Sequence, residues 1–177
     1  MQRRAKIQDA IVRKYPEQVV LVTTRSRAGR ANVMAVGWVS IASGDPLMFV
    51  LGIDDEAMTY RLIRQTRQFV VAFPSEDMGR QTVFVGTRHG HDVDKFAGCG
   101  LKTQEGTAVD APLVADAVAN FECRLVRIIR PGDCPLIIGR VVAAHVNRSK
   151  SVRRLYTVGK GYKMAGVRPV TRPARKR

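Results

Sequence analysis

Short apolar runs alternate with glycine, proline and charged turns along most of the chain. Residues 18–25 (QVVLVTTR) are β-branched and apolar, which predicts a buried strand. A glycine-containing loop at 26–30 leads into 31–53, which we interpret as two strands joined at a Gly-Asp-Pro turn. The first of them carries the only tryptophan, Trp38, in a run too apolar to be solvated. Three successive strands predict an antiparallel meander.

Helical spacing of apolar residues is found in other segments. Residues 3–14 predict a short amphipathic helix that Pro16 stops. Acidic residues precede Met58, Leu62 and Ile63, and this pattern predicts a helix of about two to three turns. Residues 68–73 predict another strand, and residues 75–85 predict a further short helix.

The second half of the chain contains the clearest β signal. A polar loop at 86–96 (GTRHGHDVDKF) and a less ordered stretch to Pro112 come first. Residues 117–130 and 135–147 then alternate apolar and polar positions around Pro131-Gly132-Asp133, which predicts a long hairpin. Many strands, two short internal helices and a length suited to one domain predict a mainly β barrel or sandwich.

Composition restricts the class of protein. A hydrophobic content of 45% is that of a globular chain, and no apolar run approaches the ~20 residues of a membrane span. The N-terminus has no apolar core of a signal peptide, and an odd number of cysteines without metal-ligand spacing argues against a disulfide framework. A cytoplasmic location is therefore the expectation.

Charge is the compositional outlier. The formal net charge is +15, and no acidic residue follows Asp133. Such a distribution favours polyanions, anionic cofactors or acidic partner proteins. The last ten residues, RPVTRPARKR, have two prolines and no apolar periodicity, so we expect a solvated tail there.

Motifs for hydrolytic or metal chemistry are weak. His89 and His91 with Asp92 and Asp94 resemble a ligand cluster, but nothing elsewhere completes a zinc or iron set, so no metal site is predicted. The chain has no GxSxG elbow, no GxGxxG and no P-loop, and no catalytic side chain is predicted.

The remaining polar groups suit a flat, anionic, aromatic ligand. Thr59 opens a predicted helix, whose free N–H groups attract phosphate. Thr87, Arg88 and Lys95 add hydrogen-bond donors from the polar loop. The strand that begins at Asn32 offers backbone amides and small side chains past which a ring system could lie.

Five segments in chain order resemble one family. They are NVMAVGW followed by DP, then MTYRLIRQTRQFVVAFP, GTRHGHDVDKF, FECRLVRI and LIIGRVVAAHV. Together they resemble the flavin reductase-like family, which includes the flavoredoxins and has an FMN-binding split β-barrel. The likeness extends over residues 18–164, because LYTVGKGYKMAG also resembles the family's closing segment.

The resemblance implies a Greek-key-like antiparallel barrel that forms a homodimer and holds FMN non-covalently at or near the subunit interface. The implied domains are a basic N-terminal helix at 1–16, the split barrel at 17–165 and a basic flexible tail at 166–177. The implied cofactor-binding residues are Asn32, Val33, Met34, Ala35, Gly37, Trp38 and Ser40 on the strand, Thr59 at the helix start, and Thr87, Arg88, His91, Lys95 and Phe96 in the loop.

The chain departs from the family pattern at several of these positions. Thr87 and the two histidines replace a commoner serine-glycine start, and Ala35 stands where threonine is common. Before Thr59, where a serine is often found, the chain has DDEAM. These carboxylates are compatible with phosphate binding only if they point away from the phosphate.

The implied function is an FMN-containing oxidoreductase that takes electrons from NADH or NADPH and passes them to a flavin, ferric or protein acceptor. The acceptor could include an acidic electron-transfer protein or a monooxygenase. The alternatives are a basic nucleic-acid-binding β-barrel and a non-catalytic flavin-binding protein. Aromatic residues are only 6% of the chain, which argues against the stacking surface of a single-strand binder.

Overall fold

The computed structural model describes residues 1–168, which form a mainly antiparallel β structure as predicted. The strands in this part of the chain are β1 (Glu17–Gln18), β2 (Val20–Arg25), β3 (Ala31–Val36), β4 (Val39–Gly44), β5 (Leu47–Gly52), β6 (Gln68–Phe73), β7 (Thr103–Gln104), β8 (Leu113–Val114), β9 (Ala119–Ile129), β10 (Leu136–Val146), β11 (Leu155–Gly159) and β12 (Lys163–Gly166). The α-helices are α1 (Ile7–Ile11), α2 (Met58–Thr66), α3 (Gly79–Thr87) and α4 (Lys95–Cys99), with a 3-10 turn at Glu76–Met78 before α3.

Seven strands form one sheet in the order β3-β2-β6-β9-β10-β5-β4. If this sheet were flat, β3 and β4 would lie at edges roughly 29 Å apart, because neighbouring strands are spaced by ~4.8 Å. Only Gly37 and Trp38 connect these two edges, however, and three Cα steps span at most about 11 Å. The sheet must therefore curl into a barrel. Within residues 1–168 no ladder joins β3 to β4, so the barrel stays open along this seam.

This topology corrects two predictions. The prediction of one buried strand through Trp38 and Ser40 is wrong, since the chain leaves β3 at Val36 and starts a different edge at Val39. The predicted meander is wrong for the same reason: β3 pairs with β2, and β4 pairs with β5. Trp38 lies at the link with one side of its ring on Gly52 of β5, where an added Cβ would lie 3.0 Å from Trp38 Cε3, and it is 60% exposed.

The barrel interior is the main hydrophobic core, with residues such as Val22, Phe49, Phe69 and Ile137. A second core packs α3 and α4 against the outer face of β2, β3 and β6. Residues of β2 alternate between these two cores, which explains why QVVLV is apolar without a polar face. The helix approaches the strand closely: a Cβ added at Gly86 would lie 3.1 Å from Ala35 Cβ.

The predicted hairpin of β9 and β10 and the predicted helix α2 are confirmed. Helix α1 is shorter than the predicted 3–14, and all of its residues are exposed. The predicted polar loop at 86–96 is shorter in the structure, since α3 extends to Thr87 and α4 begins at Lys95, where the Asp94 side chain accepts the amides of Phe96 and Ala97. The stretch predicted to be less ordered is held by Glu122, whose carboxylate accepts the backbone N–H groups of Thr107, Ala108 and Val109.

The hairpin of β11 and β12 packs against the start of α3. Arg154 bridges to Ser75 and lies over the Phe73 ring, 3.9 Å from its centroid. The predicted basic tail at 166–177 begins at the last residue of β12, and its residues 169–177 lie outside the described part of the chain. No helix within residues 1–168 is both long and apolar enough to cross a bilayer.

Candidate functional site

A cavity of about 530 Å³ lies beside the first half of β3. Asn32 and Met34 of β3 line it, together with the start of α2, the end of α3 and the loop that follows α3. Tyr162, in the turn between β11 and β12, completes the lining and has a positive φ of 60°. The cavity thus collects residues from segments far apart in the sequence.

A buried, hydrogen-bonded pair of polar side chains in the cavity joins β3 to α2. Asn32 is 4% exposed and donates from Nδ2 to Thr59 Oγ1 at 2.9 Å. Thr59 is the second residue of α2, and no side chain caps this helix. Free N–H groups in the first turn of α2 and the Asn32 amide are therefore close together, which suits an anionic or carbonyl oxygen.

A glycine packs directly on this pair. A Cβ added at Gly90 would lie 2.3 Å from Asn32 Oδ1 and 2.9 Å from Met58 Sδ. Arg30 holds the loop in this position, since its guanidinium donates to the Gly90 carbonyl at 2.8 Å. Only glycine allows the loop this approach to the strand.

Lys95 is the buried charge of the site. The side chain is 6% exposed, and its ammonium donates to the Val85 carbonyl at 2.9 Å. Burial lowers the pKa of Lys95 below its usual range. Among the ion pairs of residues 1–168, none involves Lys95, so its charge has no carboxylate partner there. A buried ammonium in this state favours the approach of an anion.

Carboxylates also reach the cavity. Asp54 and Glu56 line it, and one oxygen of Asp54 accepts the Glu56 backbone N–H. Asp55 is instead paired with Arg130. Of the three acidic residues before Thr59, only Asp55 is directed away from the cavity.

The structure brings many of the predicted site residues to this cavity or to its neighbours. Residues that line the 530 Å³ cavity are Asn32, Met34, Thr59, Thr87, Arg88 and Lys95. Ala35 and Gly37 line a cavity of about 490 Å³ that shares Gly86 and Tyr162 with it. Phe96 lines a third cavity, of about 320 Å³.

Four predicted residues line none of these three cavities. Val33 is fully buried in the second core, and His91 is exposed on the loop. Trp38 and Ser40 are exposed beyond the end of β3. The side chain of Thr87 points back along its helix and donates to the Val83 carbonyl at 2.9 Å.

Nine residues that line the 530 Å³ cavity are outside the predicted set: Asp54, Glu56, Ala57, Met58, Val85, Gly86, His89, Gly90 and Tyr162. His89, not His91, lines the 530 Å³ cavity; His89 is itself exposed and directly precedes Gly90, which packs on Asn32. Tyr162 was not predicted either, although it lies in the segment LYTVGKGYKMAG that resembles the family's closing segment. No group of three His, Cys, Asp or Glu side chains in the described residues could hold a metal ion.

These features define a class: an antiparallel barrel, split between β3 and β4, with a ligand-sized cavity outside its edge strand and a buried cation beside it. Residues 12–166 match the model of the flavin reductase like domain, and the chain belongs to the flavin reductase-like family. The resemblance found in the sequence is thereby confirmed.

Known proteins similar to this chain include named flavin enzymes. The chain is 30% identical over 124 residues to an NADH:riboflavin 5'-phosphate oxidoreductase of Streptomyces pristinaespiralis, covering 70% of this chain and 68% of that protein. It is 33% identical over 129 residues to an uncharacterized protein of Pyrococcus abyssi, covering 73% of each. The solved structure of a flavoredoxin from Methanosarcina acetivorans has a TM-score of 0.83 and 26% identity, covering 99% of this chain and 97% of that one.

Proposed function

We propose that this protein binds FMN and acts as an oxidoreductase that transfers electrons from NADH or NADPH to an acceptor. The observation that carries the proposal is the buried, carboxylate-free Lys95 beside the Asn32–Thr59 pair in the 530 Å³ cavity. Family membership and the name of the Streptomyces relative support it.

The residues present fit this cofactor. Lys95 and the first turn of α2 would bind the phosphate. An anion there would compensate the buried charge of Lys95 and accept hydrogen bonds from the free N–H groups of the helix. Asn32 and the backbone of β3 would orient the ring system, because they offer fixed donors along a strand with small side chains. Asp54 and Glu56 oppose the phosphate, and we expect them to weaken its binding.

Bound FMN supplies the redox chemistry, so the chain itself needs no acid–base dyad. The contribution of the chain is to bind, orient and partly shield the cofactor. The 490 Å³ cavity that continues along β3 provides space for a second reactant next to the first cavity. We expect NADH or NADPH there during turnover. A flavin, a ferric compound or a partner protein then takes the electrons.

We further propose that the protein is a homodimer. Trp38, at the link, and Ile41, on the edge strand β4, are 60% and 64% exposed. A second copy on this face would cover these side chains and bring the predicted residues Trp38 and Ser40 into a protein interface. Sedimentation of the wild type and of Ile41→Glu tests this proposal, with a dimer expected only for the wild type.

The first experiment is the visible spectrum of the purified protein with FMN, followed by anaerobic addition of NADH or NADPH. Flavin bands that bleach on addition are the expected result. Bands that do not bleach would favour the non-catalytic flavin-binding alternative. A protein that binds no flavin would contradict the proposal and favour the basic nucleic-acid-binding alternative.

A further inference from the structure

Helix α2 and its C-cap present a basic face to the surface. The exposed residues of 58–67 are three arginines and one glutamine: Arg61, Arg64, Gln65 and Arg67. Arg27, in the loop between β2 and β3, reaches the same helix, since its guanidinium donates to the Gln65 carbonyl at 3.2 Å. We call Arg27, Arg61, Arg64 and Arg67 the arginine face. None of these four residues lines a cavity described above.

No carboxylate neutralises the arginine face within the described chain. Among the ion pairs of residues 1–168, none involves any of its four residues. The arginines at 61, 64 and 67 follow one another at a spacing of three, at which helical side chains are neighbours and like charges repel. The helix dipole favours Arg64 in the last turn but not Arg61 in the first half of the helix. A concentration of unpaired positive charge in this place favours an anionic partner.

Neutral contacts hold three of the four guanidinium groups in place. Besides the contact of Arg27 with the helix, Arg67 donates to the Leu125 carbonyl at 3.1 Å. Arg64 lies over the Tyr60 ring, 5.7 Å from its centroid. A guanidinium has five N–H donors, so these groups keep donors for a partner. Side chains that are already ordered lose less entropy on binding, which raises the affinity that the face can give.

The chemistry of the face favours a protein partner over a nucleic acid. Single-stranded nucleic acids bind by stacking their bases on exposed aromatic rings. The only aromatic residue of α2 is Tyr60, which is 9% exposed and has Arg64 over its ring. Arginine, in contrast, pairs with carboxylates in a planar, bidentate geometry. Carboxylates three or four residues apart on a partner helix would match the spacing of Arg61 and Arg64.

We propose that the arginine face is a docking surface for an acidic segment of a partner protein. The segment carries at least two carboxylates about one helical turn apart, which pair with Arg61 and Arg64. Arg27 and Arg67 add positive charge beside them. This proposal goes beyond the proposed electron transfer, because the surface lies outside the cavities and docking requires no bound flavin.

The test uses the full chain and two fluorescein-labelled probes of similar charge, a peptide of about ten glutamates and a thymidylate strand of about ten nucleotides. Fluorescence anisotropy at low salt measures the dissociation constant of each probe. Arg61→Glu combined with Arg64→Glu reverses two charges of the arginine face. Arg148→Glu combined with Lys150→Glu is the matched control, because both residues are exposed and form no ion pair within residues 1–168.

We expect the double variant of the arginine face to weaken binding of the glutamate peptide by about tenfold or more, because like charges then meet across the interface. The control should weaken it by less than about threefold, which is the effect of net charge alone. Thermal unfolding checks that both proteins are folded. If a charge reversal prevents folding, Arg61→Gln with Arg64→Gln is compared with Arg148→Gln with Lys150→Gln, and the same order of effects is expected.

Equal weakening of peptide binding in the two double variants would overturn the proposal, and so would a wild type that does not bind the peptide at low salt. A larger loss for the thymidylate strand than for the peptide would identify a nucleic-acid surface and would also overturn it. Neither probe reports on flavin, so these results are separate from a failure of the proposed function.

Discussion

Two buried charged residues of this molecule, Glu122 and Lys95, differ in how fully their charged groups are hydrogen-bonded. Glu122 on β9 has no exposed surface, and its carboxylate accepts hydrogen bonds from the backbone and hydroxyl of Thr107, from Ala108 and Val109, and from the His145 ring. Lys95 is almost as buried but contacts one neutral carbonyl. Glu122 holds the loop at 107–109, whereas Lys95 joins the start of α4 to Val85 of α3.

Their pKa values express the same contrast. Burial raises the pKa of Glu122, but the hydrogen bonds from His145, Thr107 and Ala108 outweigh it and bring the pKa down to about 2. Burial lowers the pKa of Lys95, and no carboxylate within residues 1–168 pairs with it to offset this effect. A fully satisfied buried charge stabilises the fold, whereas an unsatisfied one beside a cavity indicates a ligand.

Removing the satisfied charge has the largest expected effect. Glu122→Gln places an NH₂ group among backbone donors, and we expect the free energy of unfolding to fall by roughly 3–5 kcal/mol. Urea denaturation of the variant measures this change. Glu105→Gln is the control. The Glu105 side chain is 74% exposed, so this substitution should lower the free energy of unfolding by less than about 1 kcal/mol. An equal loss of unfolding free energy in both variants would contradict the stabilising role assigned to Glu122.

The pH dependence of stability tests the same residue. The pKa of Glu122 in the folded state is about 2, below its ordinary 4.5, so its contribution of about 3 kcal/mol is present above pH 4.5 and lost as the pH falls toward 2. The difference in unfolding free energy between wild type and Glu122→Gln should shrink over this interval. A difference that stays constant from pH 6 to about pH 2 would show that the carboxylate is not stabilised.

Removing the unsatisfied charge should affect binding instead of folding. Lys95→Met keeps a long apolar stem, so we expect the free energy of unfolding to stay equal or rise. The dissociation constant of FMN should increase by about tenfold or more. Lys102→Met, at an exposed lysine nearby, is the control for loss of charge. A destabilised Lys95→Met protein with normal FMN affinity would reverse the roles assigned to the two charges.

A further expected effect on stability concerns the loop that covers Asn32. Gly90→Ala places a Cβ 2.3 Å from Asn32 Oδ1, and we expect a loss of about 1–3 kcal/mol in stability from overpacking. Thermal unfolding of Gly90→Ala and Gly132→Ala gives the comparison, because no atom lies within 4 Å of a Cβ added at Gly132. Similar melting temperatures would show that the loop yields without cost.

The parts of the fold that depend on local pattern could be predicted. Alternation through Phe121, Cys123 and Leu125 defines β9, and helical spacing after Met58 defines α2. The end of β3 at Val36 could not be predicted, because the apolar pattern continues past Trp38. The chain changes edges there only because strands far downstream fill the space between β3 and β4.

The candidate site was predictable in its residue types but not in their orientation. Lys95 and Thr59 could be named from the family pattern, and both line the cavity. His91 and His89 could not be distinguished, since both belong to one polar loop whose path depends on tertiary contacts such as that of Gly90 with Asn32, and only His89 lines the cavity. Helix α4 has a local sequence signal at each end: Asp94 is the N-cap and accepts two amides, and Gly100 follows the helix with a positive φ.

The two-residue link between the sheet edges has a consequence for the order of folding. Strands β2, β3 and β6 can pair early, and β4 can pair with β5, but these two groups are joined only through β9 and β10. Those strands are synthesised last among the seven. During translation the first 118 residues thus carry two separate pieces of sheet with unpaired edges, which chaperones recognise. We expect barrel closure to be a late and slow event, set by contacts that are distant in sequence.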